Sequence, residues 1–236
     1  MTLRPDLDYA SVGSDIIVIF QGRLAHCQRP FFHGIHNRKR RKEEFEMNHN
    51  NGKTFVLVKC ALLAALAVAL NFVKFAPWPN GGSITAAAMA PIVLAGLMFG
   101  PGWGALTGFT FSLLQMLLDG ISAPPVETVL WYILVILLDY VIAYTVLGLA
   151  GIIAKPFLKP VKGAVVGTLA VTAVRYLCHI ASGILIWGVY APEGTPVWLY
   201  SLLYNGSYMV PEMIITTIVV GLLAGAVLKK PTLSDR

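Results

Sequence analysis

Charged side chains are scarce in this chain. Asp, Glu, Lys and Arg make up 13% of its 236 residues, whereas a soluble domain averages about 25%. The hydrophobic share is 56% and the mean hydropathy is +0.70, so the composition excludes an ordinary soluble domain and indicates a polytopic protein of the lipid bilayer. The net charge of +6 needs no nucleic-acid partner, because the topology of a membrane protein accounts for much of it.

Motifs for metal, redox or nucleotide chemistry are also missing. The three cysteines, Cys27, Cys60 and Cys178, are scattered without metal or redox spacing. No Walker A or glycine-rich phosphate loop is present, so the chain itself is not expected to hydrolyse ATP. Residues 51–236 contain six acidic residues and one histidine, His179. We therefore assign no catalytic residue, no metal ligand and no cofactor.

Six apolar stretches are long enough, or nearly so, to cross a hydrocarbon core of about 30 Å. Short loops rich in proline and glycine separate them, and the second is short enough to be tilted or shielded by its neighbours. The pattern predicts an all-α bundle of six transmembrane helices in residues 47–236. The six stretches are residues 54–74, 84–99, 102–118, 127–150, 163–190 and 206–228.

Lysines distinguish the two sides of this predicted bundle. Three lysines lie in residues 155–162, between the fourth and fifth spans, and two more follow the sixth span. The loops at 119–127 and 190–205 contain acidic residues but no Lys or Arg. By the positive-inside rule, both termini are predicted to be cytoplasmic, and these two loops together with the loop at 75–83 are predicted to face outside.

Three ionisable residues fall deep within the predicted spans: Asp139, Arg175 and Glu212. Such residues are costly in lipid and usually face a cavity or a partner. For Arg175 and Glu212, an internal ion pair that holds helices together is as good an interpretation as a functional role. Asp139 is a stronger candidate because of the aromatic residues predicted near it.

The fifth span carries Arg175, His179, Gly183 and Trp187 at intervals of four, so they are predicted to share one helical face. His179 and Trp187 would then lie about 12 Å apart along the axis. The intervening glycine would leave room for a flat ring between imidazole and indole. An interfacial anchor is an alternative role for Trp187.

More polar and aromatic residues are predicted near the outer face. Trp78 falls in the first outside loop, and Tyr200 and Asn205 fall in the last outside loop and at the start of the sixth helix. A carboxylate among aromatic faces can hold a delocalised cation, and His and Asn can pair with a heterocycle. These residues predict an outward-facing site for a small aromatic cation.

Two motifs resemble a known family. RYLCHIASGILIWGVYAPEG (175–194), followed by YSLLYNGSYM (200–209), resembles the binding motif of the thiamine-specific S component of energy-coupling factor (ECF) transporters. DYVIAYTVLGLAGI (139–152) is similar to that family's fourth-helix motif, which usually begins with Glu-Tyr. The resemblance covers about residues 55–228. The one departure is Asp139, which keeps the charge of the usual glutamate on a shorter side chain.

The resemblance implies the six-helix S-component fold and a thiamine site near the outer face. Trp187 and His179 would stack on the ligand rings, and Asp139 would be the counter-charge. Tyr200 and Asn205 would bond the aminopyrimidine, and Trp78 would close the first loop over the ligand. The expected substrate-binding residues are Trp78, Asp139, Tyr140, His179, Gly183, Trp187, Tyr200 and Asn205.

The first span offers a candidate docking face. Ala61, Ala65 and Ala69 recur every four residues, and small residues at this spacing let helices approach closely in lipid. Alanine is common in membrane helices, so coincidence is an equal alternative. In S components such a ridge docks the transmembrane coupling subunit, and two ATPase subunits supply the energy from ATP. The resemblance thus implies a multi-pass protein of the bacterial cell membrane.

Other functions stay open at this stage. The ligand could be another vitamin or a thiamine precursor such as hydroxymethylpyrimidine, and a structural role would leave the polar residues as packing contacts. An intramembrane enzyme could use His179, Asp139 and Arg175 with Ser182 as nucleophile. The sequence places no evident acid to orient His179, so we expect a protein that is not an enzyme.

Residues 1–46 do not fit the membrane pattern. A back-translation of PDLDYASVG (5–13) resembles the conserved core of the thiamine-pyrophosphate riboswitch, and one of KEEFEM (42–47) resembles a ribosome-binding site before a start codon. We therefore expect translation to start at Met47 and residues 1–46 to be a disordered, non-native leader. A basic cytoplasmic tail is the alternative.

Overall fold

The computed structural model of the protein describes residues 52–77 and 81–228. These residues form six principal helices and one two-stranded antiparallel hairpin. The expected leader and Trp78 lie outside the described residues, so both remain predictions. The elements are α1 (Gly52–Phe72), β1 (Lys74–Pro77), β2 (Ser83–Thr85), α2 (Ala90–Phe99), α3 (Pro101–Asp119), α4 (Val129–Ala154), α5 (Pro160–Leu185) and α6 (Val197–Val227).

The helical membrane bundle predicted from the sequence is confirmed. Helices α1, α4, α5 and α6 are each long and apolar enough to cross a membrane. The short second span is shielded, as expected: α2 has only ten residues and is about 15 Å long. Its residues from Ala90 to Gly96 are all buried within the protein.

Three predicted helix ends were wrong. The span predicted to begin at residue 84 begins instead with β2, because residues 83–85 pair with β1 before the chain turns at Ala87 (φ 61°) into α2. The fifth helix ends at Leu185 rather than residue 190, and a separate 3₁₀ turn follows at Gly188–Tyr190.

The sixth helix begins at Val197, directly after Pro196, rather than at residue 206. Tyr200 and Asn205 are therefore helical residues and not members of a loop. Hydropathy misses this part of α6 because Tyr, Ser and Asn lower the local average, although they do not interrupt a helix. The helix continues through Pro211 as far as Val227.

Helix α2 lies at the centre of the apolar core. Ile92 and Val93 of α2, Phe111 of α3 and Leu147 of α4 are all fully buried in one cluster. Such a cluster gives these three helices a common interior, and its burial explains why a segment as short as α2 can remain within the membrane domain.

Three glycines bring α2, α3 and α4 into close contact. A methyl group added at Gly148 of α4 would collide with the backbone of Gly104 in α3, and one added at Gly96 of α2 would collide with the backbone of Gly148. Small residues are the usual means of close helix packing in lipid. We call Gly96, Gly104 and Gly148 the glycine contact.

The two ends of the bundle differ. Residues 81–83, Thr85, residues 120–122 and Trp187 line a common cavity at one end. The loop between α4 and α5 contains the three lysines of residues 155–162. It lies at the other end, because α4 leads away from the cavity to this loop and α5 leads back from it. The cavity and the lysine-containing loop thus lie at different ends of the bundle, and the cytoplasmic location of the loop stays a prediction.

Candidate functional site

A π-helical turn at Ile136–Val141 interrupts α4 at the cavity wall. It contains both Asp139 and Tyr140. Such turns widen a helix locally and are frequent at functional sites. The Tyr140 hydroxyl donates to the carbonyl of Gly120 at 3.3 Å and lies 3.2 Å from the backbone nitrogen of Ser122. Tyr140 therefore connects α4 to the loop after α3.

Asp139 is the centre of a hydrogen-bond network. Its Oδ1 lies 3.1 Å from Nδ1 of His179, and its Oδ2 accepts hydrogen bonds from Ser182 Oγ at 2.7 Å and Trp187 Nε1 at 3.2 Å. The Asp139 and His179 side chains are only 16% and 11% exposed. The expectation that no acid orients His179 was wrong, because Asp139 does so from the neighbouring helix.

Arg175 determines which nitrogen of His179 carries the proton. Arg175 Nε donates to His179 Nε2 at 3.4 Å, and an arginine can only donate. His179 therefore accepts at Nε2 and carries its proton on Nδ1, which faces Asp139. The guanidinium carbon also lies 4.1 Å from the centre of the Tyr144 ring, a cation–π contact.

The internal ion pair between Arg175 and Glu212 that the sequence suggested is absent from the ion pairs of the described residues. Glu212 instead accepts two hydrogen bonds from Thr85 of β2. Its Oε2 lies 2.7 Å from the Thr85 backbone nitrogen and its Oε1 lies 2.5 Å from the Thr85 hydroxyl. Glu212 is only 4% exposed, so this contact joins the hairpin to α6 inside the protein.

Trp187 does not continue the face of α5, contrary to the sequence prediction. The helix has ended, and the backbone amides of Ile186 and Trp187 both donate to the carbonyl of Ser182. The chain thus turns back, and the indole nitrogen reaches Asp139 and Ser182 Oγ, the latter at 3.1 Å. The Trp187 ring stacks on Tyr190 with 6.3 Å between centroids.

Gly183 has a packing role beside the one predicted for it. A methyl group there would collide with Ser201 Oγ, and its next neighbour would be the Asn205 amide. The glycine thus allows α5 and α6 to approach. Asn205 Nδ2 donates to the His179 carbonyl at 3.2 Å, and its Oδ1 accepts from Tyr208 at 2.6 Å.

Tyrosines at intervals of four line α6, and two of them were missed from the sequence. Tyr200 and Tyr204 have ring centroids 5.6 Å apart, and Tyr204 and Tyr208 6.2 Å apart. Tyr208 also meets His179 edge to face at 6.4 Å. Their four-residue spacing was the available signal, but the first two had been placed in a loop.

These groups surround a cavity of about 410 Å³, within the range of small-molecule sites. Seven of the eight expected binding residues line it, and the eighth, Trp78, lies outside the described residues. Arg175, Glu212, Tyr204 and Tyr208 also line it. The seven are Asp139, Tyr140, His179, Gly183, Trp187, Tyr200 and Asn205.

The candidate docking face lies apart from this cavity. Ala61, Ala65 and Ala69 are all exposed on α1, whereas Ala64 and Ala67 are buried. The two sets of alanines therefore occupy different faces of α1, and the exposed set is accessible to lipid or another helix.

Comparison with known proteins gives consistent matches. Residues 57–231 match the family described as Thiamine transporter protein (Thia_YuaJ). The chain is 37% identical to Thiamine transporter ThiT of Bacillus subtilis (strain 168) over 187 residues, which are 74% of this chain and 93% of that protein. It is 34% identical to Thiamine transporter ThiT of Lacticaseibacillus paracasei over 179 residues, 71% of this chain and 86% of that protein.

The fold is also similar to a solved structure. The structure of ThiT from Listeria monocytogenes matches with a TM-score of 0.61 and 22% sequence identity, covering 74% of this chain and 95% of that one.

Proposed function

The chain belongs to the thiamine transporter protein family (Thia_YuaJ), and on that premise we propose that it binds thiamine as the S component of an ECF-type uptake transporter. Thiamine combines a positively charged thiazolium with an aminopyrimidine. The buried Asp139 carboxylate among aromatic rings is the observation that carries this proposal, because it suits a flat, delocalised cation.

Asp139 retains capacity for a ligand. A carboxylate offers about four acceptor positions, and among the described residues three donors contact it: His179, Ser182 and Trp187. These contacts fix the carboxylate in place and leave one position for a donor of the ligand. Preorganisation of this kind reduces the ordering cost of binding.

The rings beside Asp139 supply the remaining recognition. Trp187 with Tyr190 forms one aromatic wall, and Tyr200 with Tyr204 forms another on α6. Both ring nitrogens of His179 have partners in the protein, Arg175 and Asp139, so the imidazole offers the ligand its ring rather than a free nitrogen. We infer that the ligand lies between these walls with its charge near Asp139.

Calorimetry on the purified full chain in detergent tests the proposal. We expect thiamine to bind and hydroxymethylpyrimidine, which lacks the thiazolium charge, to bind at least tenfold more weakly, since the lost charge is worth more than about 1.4 kcal/mol. Equal affinities would favour a precursor transporter, and no binding of either would contradict the proposal.

We also propose that the chain resides in the bacterial cell membrane with the lysine-containing loop in the cytoplasm. The cavity would then open outward. A transmembrane coupling subunit and two ATPase subunits would supply the energy, and the exposed ridge of Ala61, Ala65 and Ala69 would dock the coupling subunit.

The substitution Ala65→Trp tests this ridge. The ring would hold the helices apart, so co-purification with the coupling subunit should be lost while thiamine binding remains. Leu66→Trp is the matched control, because Leu66 is the next residue of α1 and is 49% exposed. Unchanged assembly of Ala65→Trp would place the docking face elsewhere.

The geometry favours binding over catalysis. An enzyme built on His179 would need Ser182 as a nucleophile hydrogen-bonded to the imidazole. The Ser182 hydroxyl instead donates to Asp139. Ser182 thus helps to hold the Asp139 carboxylate in place, as in a preorganised binding site.

A further inference from the structure

One face of α6 holds the segment Gly81–Thr85 along its length. Tyr204, Tyr208 and Glu212 recur every four residues, so they lie on one face. Tyr204 Oη donates to the Gly81 carbonyl at 3.0 Å, and Glu212 accepts both hydrogen bonds of Thr85. Between them, a methyl group added at Gly82 would meet the ring of Tyr208. We call these three contacts the α6 clasp.

The clasp is strongest at its buried end. Glu212 and Thr85 are only 4% and 5% exposed, and two hydrogen bonds to a carboxylate are stronger than neutral ones. The Thr85 hydroxyl also accepts from the backbone amide of Ala88 at 3.1 Å, which fixes the turn into α2. At the other end, one hydroxyl contacts one carbonyl at a more exposed position.

The clasped segment forms part of the cavity wall. Gly81, Gly82, Ser83 and Thr85 all line the cavity, as does Glu212. Glu212 and Asp139 therefore hold different parts of the site: the partners of Asp139 are His179, Ser182 and Trp187, whereas both hydrogen bonds that Glu212 accepts come from the cavity wall itself.

We propose that Glu212 is a positioning residue, which holds β2 against α6 through Thr85 and thereby retains the ligand in the cavity. The retention part of this inference rests on the proposed thiamine binding, but the contact between Glu212 and the strand does not. The two parts can therefore be measured separately.

Hydrogen–deuterium exchange on the full chain without ligand tests the contact. Glu212→Gln replaces one acceptor with an amide, and Thr85→Val removes the hydroxyl at constant shape. Both should increase exchange in a peptide spanning 81–88, whereas Thr85→Ser, which keeps both donors, should behave as the wild type. Unchanged exchange in both disruptive variants would overturn the clasp, whatever the protein binds.

Thr216→Val is the matched control on the same helix. Thr216 lies one turn beyond Glu212 and is fully buried, and its hydroxyl has no partner within the described residues. Its replacement should leave both exchange and ligand release unchanged. An effect as large as that of Glu212→Gln would mean that any change on this face loosens the wall, which would overturn the specific role of Glu212.

Stopped-flow tryptophan fluorescence measures retention. We expect Glu212→Gln and Thr85→Val to raise the thiamine dissociation rate about tenfold, with Thr85→Ser near the wild type and Tyr204→Phe raising it less. A lower melting temperature with an unchanged dissociation rate would reduce Glu212 to a structural role and overturn the inference. If the wild type binds no thiamine, the proposed role of Glu212 in ligand retention fails together with the proposed function. The exchange experiment still shows whether Glu212 holds Thr85.

Discussion

The helices of the bundle are held together in different ways at the glycine contact and around the cavity. At Gly96, Gly104 and Gly148, three helices meet backbone to backbone with no side chains between them. Around Asp139, the helices are joined through hydrogen bonds that surround an open volume. In lipid, apolar surfaces gain little by association with one another. Close packing therefore holds the helices together at one place, and a hydrogen-bond network holds them together around the cavity.

The largest expected effect comes from filling the glycine contact. Gly148→Leu should destabilise the fold by about 3 kcal/mol or more, because the side chain would collide with backbone rather than with movable side chains. Thermal unfolding in detergent should show the loss of the cooperative transition. Gly102→Leu is the control, since Gly102 of α3 has open space around it. Equal melting temperatures for the two variants would contradict this account of the contact.

A change at the cavity should separate binding from folding. Asp139→Asn should weaken thiamine binding by more than tenfold, or more than about 1.4 kcal/mol, because it removes the counter-charge. The folded bundle should persist. Asp119→Asn is the control, because Asp119 also lines the cavity but is paired with Lys74 at 3.2 Å. Calorimetry that shows unchanged affinity for Asp139→Asn would remove Asp139 from the site.

The Trp187 substitution distinguishes the ring from its hydrogen bond. Trp187→Phe keeps an aromatic face but loses the donor to Asp139, so affinity should fall about fivefold, which corresponds to roughly 1 kcal/mol. The quench of tryptophan fluorescence by thiamine should largely vanish. Trp198→Phe should preserve the quench, because Trp198 is 57% exposed and does not line the cavity. A full quench in Trp187→Phe would refute the stacking role.

The smallest effect is expected beside the glycine contact. Thr145 has a buried hydroxyl that lacks a partner among the described residues, and an unsatisfied polar group costs stability. Thr145→Val keeps the shape and should raise stability by about 1 kcal/mol or less, with thiamine affinity unchanged. A lower melting temperature would indicate that the hydroxyl is satisfied in solution.

The sequence predicted which residues line the cavity better than it predicted where the helices begin and end. Asp139, His179 and Trp187 line one cavity as expected, because their residue types carry the chemistry whatever the local conformation. The route of the chain to them differed: Trp187 reaches Asp139 from a turn, not from the face of a helix. A periodic pattern cannot show where a helix ends when the next residues are equally apolar.

Contacts between distant residues were the least predictable. Glu212 and Thr85 are separated by 127 positions, and nothing in the local sequence of either indicates the other. The same holds for the hairpin: most of β1 fell in the loop predicted after the first span, and most of β2 fell at the start of the second predicted span. Hydropathy reports an average over many residues, so strands of three and four residues do not register.

The burial of α2 has a consequence for how the protein enters the membrane. An independent span needs about 20 apolar residues, and α2 has ten. We therefore expect that α2 does not insert stably into the membrane by itself. It is joined to α3 directly at Gly100, and its burial also depends on residues of α4 and α6 that are synthesised later. Biogenesis should therefore end with a cooperative step in which α2 reaches its position only after the last helix has left the ribosome.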